Sequence, residues 1–199
     1  MTGITESAEK VFGIKGFEKA TMQDIADEEG IGIATLFRYF PKKDKLIVAV
    51  AVNAIGRYFH AFQTIAQLDV SSLEKIDRLF DYFASQLNPE NLGYTRLIEA
   101  FESYAALQFA PLDDMATYND AHKEISDVFS SIIEEGKSDG SIRGDIPTGD
   151  VLLSIINAFS LFSRKLSLFE NIPYLEAEVT PSKQLAIVKS IFIDYLKVR

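Results

Sequence analysis

Residues 21–46, TMQDIADEEGIGIATLFRYFPKKDKL, decide the fold of this chain. The segment contains two short stretches with apolar residues at helical spacing, separated by Gly30. Thr21 and Asp24 are typical of a helix start, because a threonine oxygen accepts from an orphan backbone N–H and a carboxylate favours the positive end of the helix dipole. Glycine can adopt the left-handed conformation that ends a helix and turns the chain. The segment is therefore predicted to form a helix-turn-helix.

The second helix of this motif has an outer surface suited to DNA. Leu36 and Phe40 lie four residues apart, so they are predicted to point into the core. The outer surface is left with small apolar, hydroxyl, cationic and aromatic side chains, contributed by Ile33, Ala34, Thr35, Phe37, Arg38 and Tyr39. Arginine can bond bidentately to guanine, hydroxyl groups can reach phosphates or base edges, and small apolar groups can contact a thymine methyl. This surface is predicted to bind DNA, with an ordinary helical hairpin as the alternative.

Three lysines continue this surface into the next helix. Lys42, Lys43 and Lys45 follow at once, where a helix end would lie along the phosphates of DNA. Residues 31–45 hold four basic side chains against Asp44 alone, although the whole chain carries a net charge of −9. An acidic body weakens non-specific binding to DNA, so local contacts would carry the affinity and make it strongly dependent on salt.

Three segments follow one another in an order that resembles a known family. They are FGIKGF at 12–17, TMQDIA at 21–26 and GIGIATLFRYFPKKDKL at 30–46. This ordered series is similar to the DNA-binding domain of TetR-type transcriptional regulators. The resemblance covers roughly the first quarter of the chain, and beyond it the helical layout and the length agree.

The resemblance implies roles for individual residues and also shows two departures. It places Thr21, Thr35, Tyr39 and Lys43 where the family contacts phosphates or bases. Gly32 stands where the family commonly has a serine or threonine that caps the recognition helix and touches phosphate. At another position, the family's usual phosphate-binding tyrosine is replaced by a phenylalanine, Phe37. Glycine is an acceptable cap but has no side chain to donate a hydrogen bond.

The whole chain is predicted to be all-α, with about nine helices. A three-helix domain, residues 1–46, is expected to bind DNA, and residues 47–199 are expected to form a helical effector-binding and dimerisation domain. A long helix from Asp44 to about Gln67 would join the two domains. The first helix is predicted to end at Gly13 or Gly16.

Three further boundaries follow from turn and cap residues. Asn88 and Pro89 are predicted to stop one helix, and Thr180 with Pro181 to start the last one. Residues 136–149, GKSDGSIRGDIPTG, are predicted to form the one long loop, with Thr148 capping the helix that follows.

The two C-terminal helices carry surplus apolar surface. Residues 151–169 are apolar nearly all round, and residues 185–196 are apolar on more than one face. Helices of this kind are buried on several sides. They therefore predict a homodimer built as a four-helix packing, which would present two recognition helices to half-sites roughly 34 Å apart.

The residues of a catalytic or metal centre are not found in the sequence. The chain has no cysteine, and its two histidines, His60 and His122, form no metal-binding motif. No nucleophile elbow or glycine-rich nucleotide loop occurs. We expect neither enzymatic activity nor a cofactor or a metal. The apolar run 151–162 is too short and too polar to span a membrane, and the N-terminus runs directly into an amphipathic helix, so a cytoplasmic location is expected.

Aromatic and polar side chains of the later helices suit a ligand chamber. An aromatic cavity with a few hydrogen-bonding groups would accept a small, largely apolar effector, although the same rings can simply fill a core. The candidates are Tyr58, Phe62, Phe83, Arg96, Phe101, Tyr104, Tyr118, His122 and Phe159. The predicted function is a DNA-binding transcriptional regulator, a repressor that the effector releases from a palindromic operator. The alternative is a helical ligand-binding or scaffolding dimer without sequence-specific DNA binding.

Overall fold

The computed structural model describes residues 2–86, 92–169 and 181–198, with the backbone alone described at residues 2, 92, 159, 160, 163, 164, 166–169, 181 and 182. Within these ranges the secondary structure consists of nine α-helices and no strand, which confirms the all-α prediction. The helices are α1 (Thr2–Lys19), α2 (Met22–Glu29), α3 (Ile33–Tyr39), α4 (Lys43–Ala66), α5 (Ser72–Ser85), α6 (Leu92–Ala106), α7 (Met115–Asp139), α8 (Thr148–Phe169) and α9 (Pro181–Leu196).

Helix α1 is interrupted at the second of the two predicted glycines. Gly16 has φ 76° and ψ 163°, so the helix breaks there and one further turn leads to Lys19. Glycine adopts a positive φ without the steric cost that a Cβ atom would bring. The ring of Phe17 is thereby directed inwards, 4.9 Å from the ring of Phe12, and both side chains are buried.

Helix α4 is the long helix that the sequence predicts, and its ends lie within one residue of the expected positions. Its length and composition alone would allow it to cross a membrane, but the buried core helix of a soluble protein passes the same test. The side chains of Leu46, Ile47, Val50 and Ala54 are fully buried. This burial shows that the apolar residues of α4 face a protein core.

The predicted loop at residues 136–149 is shorter in the structure. Helix α7 continues through Gly136 to Asp139, and Gly140, with φ 78°, ends it. A Cβ atom at Gly136 would lie 2.5 Å from Cδ1 of Ile142 and 2.8 Å from Cβ of Ser72. Gly136 therefore serves close packing inside a helix rather than a turn, and this requirement cannot be seen in the local sequence.

Thr148 also differs from its predicted role as a helix cap. It is the first residue of α8, and its hydroxyl contacts Glu134 and Lys137 of α7. The backbone carbonyl of Pro147 accepts instead from the N–H of Val151, at 3.1 Å. The boundaries predicted at Asn88–Pro89 and at Thr180 lie outside the described residues.

The chain forms two compact units that differ from the domain division expected from sequence. The first unit comprises Met1–Phe59 and Gly93–Lys123, and the second comprises His60–Leu92 and Glu124–Arg199. Helices α4 and α7 each contribute to both units, so a unit boundary lies within each of these helices. The division at residue 46 into DNA-binding and effector-binding domains stays a proposal.

The second unit has its own hydrophobic core, and ion pairs connect α5 to two neighbouring helices. The core is built mainly from α5, α7, α8 and α9 and includes Phe62, Ile76, Leu79, Phe80, Phe129, Ile132, Ile133, Ile155, Leu185 and Leu196. The buried ammonium group of Lys75 on α5 pairs with Glu135 on α7, at 3.0 Å. Lys189 on α9 lies between Asp77 and Asp81 of α5, at 2.8 and 2.6 Å. These ion pairs hold α5 against α7 and α9.

Candidate nucleic-acid interface

Local hydrogen bonds define the start of the helix-turn-helix. The hydroxyl of Thr21 accepts from the N–H of Asp24 at 3.1 Å, and the Asp24 carboxylate accepts from the N–H of Thr21 at 2.9 Å. This reciprocal arrangement is a capping box. The ammonium of Lys15 lies 2.7 Å from Asp24, and this contact together with the Thr21 hydrogen bonds lowers the pKa of Asp24 to about 2. The predicted cap at Thr21 is confirmed.

The turn has the geometry that its glycine predicts. Gly30 adopts φ 74° and ψ 29°, and its N–H donates to the carbonyls of Ala26 and Asp27. The N–H of Ile31 also donates to the carbonyl of Ala26, at 3.0 Å. These bonds satisfy the orphan carbonyls at the end of α2 and direct the chain into α3.

The recognition helix α3 is held by two buried side chains. Leu36 is fully buried and Phe40 is 5% exposed, as their spacing predicts. Gly32 is the residue before the helix, and its carbonyl accepts from the N–H groups of Thr35 and Leu36 at 2.8 and 3.2 Å. It provides no side-chain cap.

The outer surface of α3 presents four of the predicted DNA-contacting residues to solvent. Ala34, Phe37, Arg38 and Tyr39 are exposed, Phe37 to 44% and Tyr39 to 51%. Ile33 and Thr35 are half-buried. Within the described part of the chain Arg38 forms no ion pair, so its guanidinium group is available for an external acceptor such as a guanine edge.

The lysines after α3 have partners inside the protein that sequence reasoning missed. Lys42 pairs with Asp113 at 2.8 Å, and this contact raises the pKa of Lys42. Lys43 is half-buried, donates to the backbone carbonyl of Glu18 at 3.1 Å, and has its pKa lowered by burial. Asp113 lies far from these lysines in sequence, so no local signal could have revealed the pairing.

Comparisons with known proteins agree with this geometry. The sequence model of the family described as "Bacterial regulatory proteins, tetR family" matches residues 4–50. The HTH-type transcriptional regulator SAB2452 of Staphylococcus aureus (strain bovine RF122 / ET3-1) is 30% identical over 131 residues, which are 64% of this chain and 69% of the relative. The chain belongs to the TetR family. It is a DNA-binding transcriptional regulator, as the resemblance of its first quarter predicts.

Two further proteins match over more of the chain. The HTH-type transcriptional repressor KstR2 of Mycolicibacterium smegmatis (strain ATCC 700084 / mc(2)155) is 29% identical over 143 residues, 72% of this chain and 67% of the relative. The structure of the transcriptional regulator FadR from Bacillus subtilis, in complex with stearoyl-CoA, superimposes with a TM-score of 0.75 at 15% identity, over 98% of both chains. This structural likeness shows a shared fold.

The predicted effector residues of the first unit form one contiguous aromatic group and several separate positions. The rings of Phe101 and Tyr118 are 4.6 Å apart, as are those of Tyr118 and His122. Phe17, which is not among the predicted effector residues, lies 5.6 Å from Tyr104 and 6.4 Å from Phe101. The sequence does contain a signal for Phe17, because an aromatic residue directly after the helix-ending Gly16 can turn into the core.

Burial shifts the pKa values of the ionisable groups in this aromatic cluster. The hydroxyl of Tyr118 donates to Glu102 at 3.1 Å, and burial raises the pKa of Tyr118. Burial lowers the pKa of His122, while the Glu102 carboxylate opposes that shift. Near pH 7 the cluster therefore presents a neutral imidazole and a neutral phenol beside apolar rings.

The remaining effector candidates occupy different environments. Tyr58 is half-buried with its hydroxyl 3.2 Å from that of Thr95, whereas Arg96 is solvent-exposed. In the second unit Phe62 is buried and lies 5.1 Å from Phe83, edge to face. The side chain of Phe159 lies outside the described residues. The role of all these residues in effector binding stays a proposal.

We expect Gly32→Ser to stabilise the protein and to strengthen its binding to DNA. A Cβ atom at Gly32 would meet no atom within 4 Å, and the φ of −67° suits any residue. A serine hydroxyl can accept from the N–H groups of α3, which adds a few tenths of a kcal/mol, and it can also donate to a phosphate. Urea unfolding and titration of a selected DNA duplex would measure both effects. Gly32→Ala, which adds the Cβ atom alone, should lower stability, and equal effects of the two substitutions would contradict the capping role.

Proposed function

We propose that this TetR-family regulator is a repressor that binds a palindromic operator as a homodimer and is released by a small, largely apolar effector. The exposed surface of α3 carries the proposal, because Arg38 and Tyr39 project from a helix that the buried side chains of Leu36 and Phe40 hold in place. A fixed helix with a solvent-exposed cation suits insertion into the major groove. The relative KstR2 is named a transcriptional repressor, which supports repression rather than activation.

We assign the DNA contacts by exposure and chemistry. Arg38 reads a guanine, and Ala34 approaches a thymine methyl because it is small and exposed. Tyr39 and Thr35 contact phosphates or base edges, and Thr21 and Gly32 lie at helix starts, where backbone N–H groups favour phosphate. Ile33, Phe37, Lys42 and Lys43 border this surface.

Homodimerisation is supported by apolar side chains that remain exposed in the single chain. Leu153 and Leu161 of α8 and Ile187, Ile191 and Tyr195 of α9 are all at least 45% exposed. Exposed apolar residues concentrated on two adjacent helices mark an interaction surface, and in a symmetric dimer they would bury each other.

The double substitution Ile187→Glu/Ile191→Glu is expected to convert the dimer into a monomer. Each change places a charge where the partner helices would exclude water, which costs several kcal/mol per interface. Light scattering after gel filtration would show the mass falling from that of two chains to that of one. Ile14→Glu is the matched control, because Ile14 is 84% exposed on α1. A dimeric double variant would contradict the assigned interface.

The chemistry of the effector is proposed from the aromatic cluster and from a structural relative. Phe101, Tyr118 and His122 combine apolar rings with neutral hydrogen-bonding groups, which suits an amphipathic ligand with a large apolar portion. FadR from Bacillus subtilis has been crystallised with stearoyl-CoA. We propose a ligand of comparable amphipathic character, whose binding favours a conformation with lower affinity for DNA.

Selection from random duplex DNA tests the proposal. Enrichment of a palindrome, with binding that weakens steeply between two salt concentrations, is the expected result. Stearoyl-CoA added to the complex should release the DNA, whereas free coenzyme A should not. No enrichment from folded, dimeric protein would favour the helical ligand-binding dimer instead. The net charge of −9 and the hydrogen bond of Lys43 to the carbonyl of Glu18 also point to that function.

A further inference from the structure

The segment that joins α6 to α7 places two carboxylates against lysines of the DNA-binding region. Asp113 lies 2.8 Å from the ammonium group of Lys42, immediately before α4. Both oxygens of Asp114 lie 2.9 Å from the ammonium group of Lys45, in the first turn of α4. The four residues belong to the same compact unit. We call Asp113 and Asp114 the acidic pair.

The conformation of the acidic pair is held from both sides. Leu112, the residue before it, is buried, and the N–H of Met115 donates to the Leu112 carbonyl at 3.3 Å. Asp114 has φ 66°, a left-handed conformation that is uncommon in a residue other than glycine. The carbonyl of Asp114 accepts from both the N–H and the hydroxyl of Thr117, at 2.9 and 2.7 Å. The loop therefore presents its carboxylates in a defined direction.

We infer that the acidic pair is an internal competitor of DNA, occupying Lys42 and Lys45 in the free protein and yielding them to backbone phosphates in the complex. The inference rests on the proposed DNA-binding surface, and it adds a means by which the chain limits its own affinity. A carboxylate and a phosphate oxygen are the same kind of acceptor for an ammonium group, so both cannot hold one lysine at full strength.

The exposure of these ion pairs makes the competition reversible. The side chain of Lys42 is 64% exposed and that of Lys45 is 32% exposed. An ion pair in such surroundings changes an equilibrium constant by a factor of about five at most. Duplex DNA, with its dense phosphate charge, can displace the carboxylates from these lysines. Each new phosphate contact then releases counterions. The acidic pair therefore weakens binding without preventing it.

The variant Asp113→Asn/Asp114→Asn tests this inference directly. Asparagine keeps the size of the side chain and tolerates the left-handed conformation at residue 114. Binding to the selected duplex, and to a mixed-sequence duplex of equal length, would be measured by fluorescence anisotropy from about 50 to about 200 mM KCl. We expect both affinities to rise about three- to tenfold, and the slope of log K against log salt to steepen by up to about 0.9 for each lysine released.

Two controls separate the acidic pair from a simple change of net charge. Asp120→Asn/Glu124→Gln removes the same charge from exposed positions of α7 and should raise the affinity much less. In a Lys42→Gln/Lys45→Gln background, the effect of the asparagine variant should disappear. An equal effect of the two charge-removing variants, an undiminished effect without the lysines, or weaker binding of the asparagine variant would overturn the inference.

The same titrations distinguish this inference from the proposed function. If the wild-type protein binds the selected duplex and loses it on Arg38→Ala, while the asparagine variant is unchanged, the competition alone is wrong. If neither the wild-type protein nor the asparagine variant binds any duplex, both proposals are wrong. Binding gained only in the asparagine variant would support the competition in its strongest form.

Discussion

Replacing Arg38 by alanine is expected to weaken binding to the selected operator about five- to 150-fold, because a bidentate arginine–guanine pair contributes about 1–3 kcal/mol of discrimination. The guanidinium group is exposed on α3, and no ion pair within the described residues competes for it. The change removes no buried atom, so the thermal stability should stay close to that of the wild-type protein. Fluorescence anisotropy with the operator, and with a duplex carrying a changed base at the guanine, would measure the loss.

Arg78→Ala is the matched control for this substitution. Arg78 lies on the exposed face of α5, where it pairs with Glu74 within the same helix at 2.7 Å. Both substitutions remove one arginine charge, so only a specific contact can distinguish them. Tyr39→Ala, one residue further along α3, should also reduce the affinity. Unchanged operator binding in the Arg38 variant would show that α3 does not present the assigned face to DNA.

Replacing Leu36 by alanine is expected to destabilise the helix-turn-helix by about 2–5 kcal/mol, because the substitution leaves a cavity at a fully buried position. The helix spans only Ile33–Tyr39, so it depends on packing rather than on its own propensity. Urea unfolding followed by circular dichroism should show an early loss of helix, and DNA binding should fall with it.

The neighbouring position provides the contrast. Phe37→Ala removes a larger side chain, but one that is 44% exposed, and should change the stability by about 0.5 kcal/mol or less. If both variants unfolded at the same urea concentration, the assignment of the buried face of α3 would be wrong. Loss of DNA binding in the stable Phe37 variant would instead identify its ring as part of the DNA contact.

The helix-turn-helix could be predicted because its determinants are local. Thr21 and Asp24 cap each other over three residues, and Gly30 closes the helix with bonds to carbonyls three and four residues back. Leu36 and Phe40 are buried because one turn of helix places them on the same side. In each case the interacting atoms lie within one helical turn, so the sequence and the elementary geometry of a helix specify the contact.

The predictions fail at residues whose role depends on a partner that is distant in sequence. The sequence predicts that Gly136 starts a loop, yet it lies inside α7, where Ile142 and Ser72 leave no room for a side chain. Thr148 was expected to cap α8, but its hydroxyl contacts Glu134 and Lys137. Composition alone cannot show whether a glycine ends a helix or permits close packing, since both uses rest on the missing Cβ atom.

The sequence by itself determined the class of this protein, the position of its recognition helix and the concentration of cations beside that helix. Tertiary structure alone decided how those cations are used, since Lys45 meets Asp114 across 69 positions of sequence and Lys43 meets the carbonyl of Glu18 across 25. The physical reason is that hydrogen bonds within one helical turn follow from backbone geometry, whereas an ion pair between distant segments depends on where the folded chain brings them together.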